Sequence, residues 1–353
     1  MLRLNHMVQK VAPSLPSRIY HAVMPQNRIV QFAIGVIAGL IVFNIVKGLF
    51  GRVTSTNPNE AALDEYKKGK AALKARNVDE ASAHFQRAYS LNPTGKELRA
   101  SICLERGSLL IKSDKALATA MLDEVLRISP SIPYLMVDAH INKNIICDME
   151  KKYAEALTHL NKALSFNVNE KMTPGIHLRM AYMHAKSEQW TETDAELILA
   201  LPQKTESRFF CTLLAGIAEV AVQKGQPVLA RRCVESALEC CPNGDTKMQA
   251  ETLFMMAKVY DAEKNLKKCY EALGEASTRL PSGVDILRTV IFLQKALVRM
   301  NIEDDVDFPA ANSYQDALSS FSSALEACPT ENDDYRAIIL WKRAIIHSEC
   351  GNK

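Results

Sequence analysis

The 353-residue sequence predicts an all-α protein: about seven helical hairpins in series, closed by a C-terminal capping helix and preceded by one membrane-crossing helix. Three observations lead there. An apolar run near the N-terminus has the length of a bilayer span, small residues and prolines return at intervals near 34 from residue 62 onward, and the charges divide between these two regions. Residues 1–59 contain no Asp or Glu and six basic residues, Arg3, Lys10, Arg18, Arg28, Lys47 and Arg52, so a total charge of +3 leaves the rest of the chain at −3. A mildly acidic body lacks the clustered cations that displace counterions from phosphate, which argues against nucleic acid as a partner.

The apolar run, Ile29 to Val46, contains only Gln31 and Asn44 as polar residues, and Leu49 and Phe50 extend it. This predicts a transmembrane helix over 29–50, with Arg28, Lys47 and Arg52 placed to meet head groups. Gly35 and Gly39 form a small-xxx-small spacing, and Asn44 is positioned to hydrogen-bond across a helix contact, either to a second copy or to a partner helix. Ahead of the run, residues 1–28 are basic and free of acids, and Leu4, Val8, Val11 and Leu15 share one helical face, which resembles a mitochondrial targeting segment. Arg18-Ile19-Tyr20 resembles a matrix-protease cleavage signal. An uncleaved outer-membrane anchor and a cleaved presequence followed by an inner-membrane helix both remain open, with an endoplasmic reticulum anchor as the third reading. Residues 51–60 then form a polar linker rich in turn-forming residues.

The body, 61–350, reads as a repeat array. In residues 62–95, Gly69, Ala81, Phe85, Ala88 and Pro93 occupy positions 8, 20, 24, 27 and 32 of a 34-residue unit. Small residues at the first, second and fourth of these let two helices approach closely, a bulky one fills the space between them, and the proline ends the second helix. This pattern resembles the tetratricopeptide repeat (TPR) family. Further units follow near 99–131, 137–169, 174–203, 211–243, 250–282 and 284–330, the last interrupted by an acidic insertion around Glu303 to Asp307, and 334–350 reads as an amphipathic cap. The resemblance implies a right-handed superhelical solenoid.

It also implies a concave groove lined by positions 2, 5, 9 and 12 of each unit. The candidate partner-binding residues are therefore Tyr66 and Lys70 in the first repeat, Cys103 and Leu110 in the second, Ile141 and Ile145 in the third, Leu178 and Tyr182 in the fourth, and Phe254 and Lys258 in the sixth. No repeat carries the Lys and Asn pair with which chaperone-binding members of the family grip a C-terminal carboxylate. The middle of the groove is apolar instead and suits an amphipathic helix or an extended apolar peptide.

No constellation for catalysis is found: no phosphate-cradling glycine loop, no Gly-x-Ser-x-Gly elbow and no His-Glu-x-x-His. The nine cysteines show no Cys-x-x-Cys spacing and are scattered through apolar helical stretches, which reads as core packing in a reducing setting, and His177 and His184 have no ligand-type residue at metal spacing. Catalytic residues, cofactor and metal are accordingly expected to be absent. The function expected is that of a membrane-anchored TPR adaptor of a mitochondrial membrane that holds partner proteins. An accessory or assembly subunit of an inner-membrane complex and an endoplasmic reticulum membrane protein are the alternatives.

Overall fold

The computed structural model describes residues 57–128, 131–166, 172–203, 206–302 and 313–351. The basic leader, the apolar run with Gly35, Gly39 and Asn44, and the acidic insertion at 303–307 lie outside them. Among the described residues there is no strand, and no helix is long and apolar enough to cross a membrane.

Fifteen α-helices follow in order: α1 Pro58–Lys74, α2 Val78–Ser90, α3 Lys96–Leu110, α4 Lys115–Ile128, α5 Pro133–Met149, α6 Tyr153–Ser165, α7 Thr173–Lys186, α8 Trp190–Ala200, α9 Arg208–Gln223, α10 Pro227–Cys240, α11 Thr246–Ala262, α12 Leu266–Arg279, α13 Ile286–Asn301, α14 Ser313–Ala327 and α15 Asp333–Gly351. A 3₁₀ turn, Leu201–Gln203, follows α8. Consecutive helices pair as hairpins, α1 with α2 through α13 with α14, and α15 packs on α14. Two compact units result. One spans residues 1–95 and has the α1–α2 hairpin as its described part; the other spans 96–353 and holds the remaining helices.

The turns inside five hairpins repeat one backbone solution. Arg76, Lys151, Glu188, Gly225 and Lys264 all have φ between 59° and 71°, the left-handed conformation that ends a helix. The next residue then donates its N–H five residues back, as from Asn77 to Ala72 O (2.9 Å), Lys152 to Cys147 O (2.8 Å) and Asn265 to Tyr260 O (2.8 Å). This bond satisfies a carbonyl that the helix end would leave unpaired. The same residue opens the following helix: Asn77 and Asn265 each accept a backbone N–H through the side chain, from Glu80 (3.3 Å) and Lys268 (3.2 Å). One residue thus stops a helix and its neighbour starts the next, so the two helices are forced to run back along each other.

Small side chains then set how closely they lie. In the first unit Gly69, Ala81 and Ala88 are buried around a fully buried Phe85, and a Cβ on Gly69 would stand 2.7 Å from the Phe85 ring. In the second hairpin Gly107 has the same role less tightly, with a Cβ 3.3 Å from the Leu122 side chain. Later hairpins place fully or almost fully buried alanines there: Ala181, Ala218 and Ala257 on the first helices, opposite Thr193, Ala230 and Cys269 on the second. Glu65 ties the first hairpin together across its faces, accepting from Arg87 Nε at 2.7 Å with His84 Nδ1 2.9 Å away.

Two outcomes follow. Gly69→Ala gains about 1 kcal/mol of helix propensity but drives a methyl into a ring with nowhere to go, so a net loss of about 1–2 kcal/mol is expected, whereas Gly107→Ala should be close to neutral because the flexible leucine yields. Thermal melting of the two variants checks this, and equal melting temperatures would contradict it. Separately, the Arg87 guanidinium, with His84, holds the Glu65 carboxyl down at about 2 from its ordinary 4.5. A lowered folded-state value means the stabilisation is fully present above pH 4.5 and is lost as pH falls through 2. Glu65→Gln should therefore remove part of the acid-induced loss of stability in that window, measured by circular dichroism.

Candidate partner-binding face

Within the second unit the first helices of successive hairpins, α5, α7, α9 and α11, build one wall. On α5, Ile141, Ile145 and Asp148 fall at helical spacing and are half-buried. Lys186 of α7 donates to Asp148 Oδ1 at 2.6 Å, and its ammonium lies 4.3 Å from the centre of the Tyr182 ring. Burial alone would push the Lys186 pKa down, but the Asp148 carboxylate and the Tyr182 hydroxyl hold it above the ordinary lysine value, so this lysine is a permanent cation of the face. Tyr182 in turn lies against α9, where Gly216 leaves it room: a Cβ on Gly216 would stand 3.2 Å from Tyr182 Cε2. One turn beyond Gly216, Glu219 accepts from Lys258 Nζ of α11 at 3.2 Å, and that ammonium sits 5.2 Å from the Phe254 ring centre.

Contacts thus run from α5 to α11 without a break. A second glycine reinforces the α7–α9 step, because Gly175 accommodates the Phe209 ring, over which the Arg179 guanidinium lies at 4.9 Å. Burial pushes the Arg179 pKa down while Asp148 opposes the shift. The ions on this face are paired with one another or stacked on rings, so an incoming segment meets apolar surface and matched charge. That environment suits an amphipathic peptide better than a highly charged one.

Of the residues expected from the sequence, Ile141, Ile145, Tyr182, Phe254 and Lys258 come together here, all half-buried. Leu178 does not. It is fully buried among Phe210, Leu214 and Ile217 of α9, so it offers no surface to a partner. On α7 the face is formed by Gly175, Arg179, Tyr182 and Lys186, because α9 packs over Leu178 and Ala185. Arg179 and Lys186 were missed by the repeat template, although their recurrence with Tyr182 as the polar members of one face was visible in the sequence. Cys103 is likewise fully buried. On α3 the small-residue position is taken by Gly107, which faces Leu122 and Met121 of α4, so the register expected for that repeat is one residue off and Cys103 turns inward. Leu110, the last residue of α3, is half-buried. Tyr66 and Lys70 belong to the first unit, where the Tyr66 ring lies 5.7 Å from that of Phe85. Gly35, Gly39 and Asn44 lie outside the described residues.

Comparison with known proteins identifies the architecture and nothing finer. No family model matches the sequence, and no curated protein matches it. Among solved structures, PilW, a widely conserved type IV pilus biogenesis factor, is similar with a TM-score of 0.52 at 17% identity, over 66% of this chain and 99% of its own. A tetratricopeptide repeat protein from Parabacteroides merdae follows with a TM-score of 0.48 at 10% identity, over 81% of this chain and 99% of its own. The likeness to PilW shows the fold of stacked helical hairpins.

Proposed function

We propose that the chain is a membrane-anchored TPR adaptor that grips an amphipathic or apolar segment of a partner protein on the α5–α11 face and has no catalytic role. The observation that carries this reading is the continuity of that face. Ile141, Ile145, Tyr182 and Phe254 keep apolar surface on three of the four hairpins that the face crosses, while the charges among them are matched in pairs. A wall of this kind recognises an extended object along its length, and no single pocket in it is needed. The test is site-specific photo-crosslinking from position 145 on α5, compared with Ile198 on the second helix α8, which is 67% exposed and belongs to the opposite layer of its hairpin. A defined partner crosslinked from 145 and lost in the Ile141→Asp variant is the expected result. Crosslinking from 198 alone, or capture indifferent to the aspartate in a folded variant, would overturn the assignment.

The anchor is the apolar run from Ile29 to Val46, and the acid-free basic segment ahead of it supports a mitochondrial membrane as the location, outer or inner. Held on a surface, the hairpin array meets partners of that membrane at high effective concentration. Sodium carbonate extraction and protease protection of a C-terminally tagged chain in intact mitochondria test this. Retention in the membrane pellet is expected, with tag digestion marking an outer-membrane adaptor and tag protection an inner-membrane assembly role. Full extraction by carbonate would remove the anchor from the proposal.

A further inference from the structure

The third hairpin differs from its neighbours in having a polar interior. In three hairpins a side chain on the first helix meets one on the second that is 19 residues later: Glu65 with His84, His140 with His159, and His177 with Glu196. Only the middle pair is both buried and made of two histidines. His140 and His159 are 5% and 7% exposed, and their Nδ1 atoms lie 3.0 Å apart. His140 also stacks on Phe166, and Asn144, at the position where other hairpins have Gly or Ala, donates to the Ala156 carbonyl at 3.4 Å. Burying this much polar surface is costly unless it does something.

Two further side chains converge on His159. Cys147 lies seven residues after His140 on α5, and Glu155 lies four before His159 on α6, so helical periodicity turns each to the face its partner helix presents. One ligand atom from each of Cys147, Glu155 and His159 lies within 4.8 Å of the others. Among the described residues this is the one group of three or more metal-ligand side chains so arranged. We propose that Cys147, Glu155 and His159 bind a zinc ion that fastens α5 to α6, with His140 orienting the His159 ring from behind.

The chemistry of the set fits that ion. Thiolate, imidazole and carboxylate together favour Zn²⁺ over the oxygen-seeking Mg²⁺ and Ca²⁺, and three protein ligands leave a fourth position for water. Cys147 and His159 are buried while Glu155 is exposed, so the ion can enter from the solvent side. His140 Nδ1, 3.0 Å from His159 Nδ1, is the outer partner that fixes the orientation of the ligating ring. Two of the nearby cations are neutralised, Lys143 by Asp123 at 2.6 Å and Lys152 by Glu150 at 2.7 Å, while Lys162 also lies near the two rings. Binding exchanges the Cys147 thiol proton for the metal and releases it to solvent, so with Glu155 ionised two negative charges face the dication. The spacing Cys147, Glu155, His159 matches no recognisable motif, because the loop of a helical hairpin separates the first ligand from the other two.

The test is titration of the full chain, in detergent and with reductant, with Co²⁺ as a spectroscopic stand-in and Zn²⁺ as competitor. One equivalent of Co²⁺ with a thiolate charge-transfer band, displaced by Zn²⁺, is expected. The band should vanish in Cys147→Ser and persist in Cys233→Ser. Glu155→Gln, which alters an exposed side chain and leaves the core intact, should weaken binding at least tenfold, and His140→Phe should weaken it about 10- to 100-fold as loss of an outer-shell partner does. Zinc should raise the melting temperature of the parent chain and not of Glu155→Gln. No uptake, a band that survives Cys147→Ser, or unchanged affinity in Glu155→Gln would overturn the site, since any ion bound would then sit among the other eight cysteines.

Discussion

The close approach of two helices across a small side chain is the constraint on which the rest of this protein rests. Where Gly69 lies under Phe85 there is no volume for even one more methyl group, while Gly107 under Leu122 leaves room that the leucine can enlarge. Close approach brings backbone and Cβ atoms into dispersion contact along most of the helix length, and close packing at native density is what makes each hairpin worth its ordering entropy. It also forces the second helix to present a fixed face to the next hairpin. Because five of the turns that join the helices share one left-handed residue and one backward hydrogen bond, the same geometry recurs in those hairpins without the same sequence.

A second layer of small residues acts between hairpins. Gly175 and Gly216 let Phe209 and Tyr182 lie flat across neighbouring first helices, and the ion pairs Lys186–Asp148 and Lys258–Glu219 bridge the same seams. The residues that hold the hairpins in register therefore also line the proposed partner-binding face. The more exposed of the two, Lys258–Glu219, contributes little to stability in water. The larger effect of both pairs is on what the wall will accept, because charges already matched within the protein repel neither an apolar segment nor a weakly charged one, and they give a strongly charged one no unpaired ion to seek.

The hairpin α5–α6 departs from this economy. It has Asn144 in place of a small core residue and two buried histidines where two other hairpins pair a histidine with a glutamate, and it places a thiol and a carboxylate beside them. Cys233 and Cys269 behave as small apolar fillers: burial pushes both up to about 12, where they are inert thiols. Cys147 shares their burial but not their surroundings.

Helical class, the hairpin period and the close contacts at Gly69, Ala81, Phe85 and Ala88 were all legible in the sequence, because each depends on residue size at a fixed spacing along one chain. The apolar middle of the α5–α11 face was legible for the same reason in Ile141, Ile145 and Tyr182. What tertiary structure alone decided is which side of a given helix is covered. A shift of one residue turns a helix face by about 100°, and a repeat template carries no information finer than that. Whether Leu178 or Arg179 points outward, and whether Cys103 or its neighbour does, depends on how the next helix lies over α7 and how Gly107 seats on α4. The meeting of Cys147 with Glu155 and His159 is of the same kind: it exists only once two helices are laid side by side, and no spacing along the chain announces it.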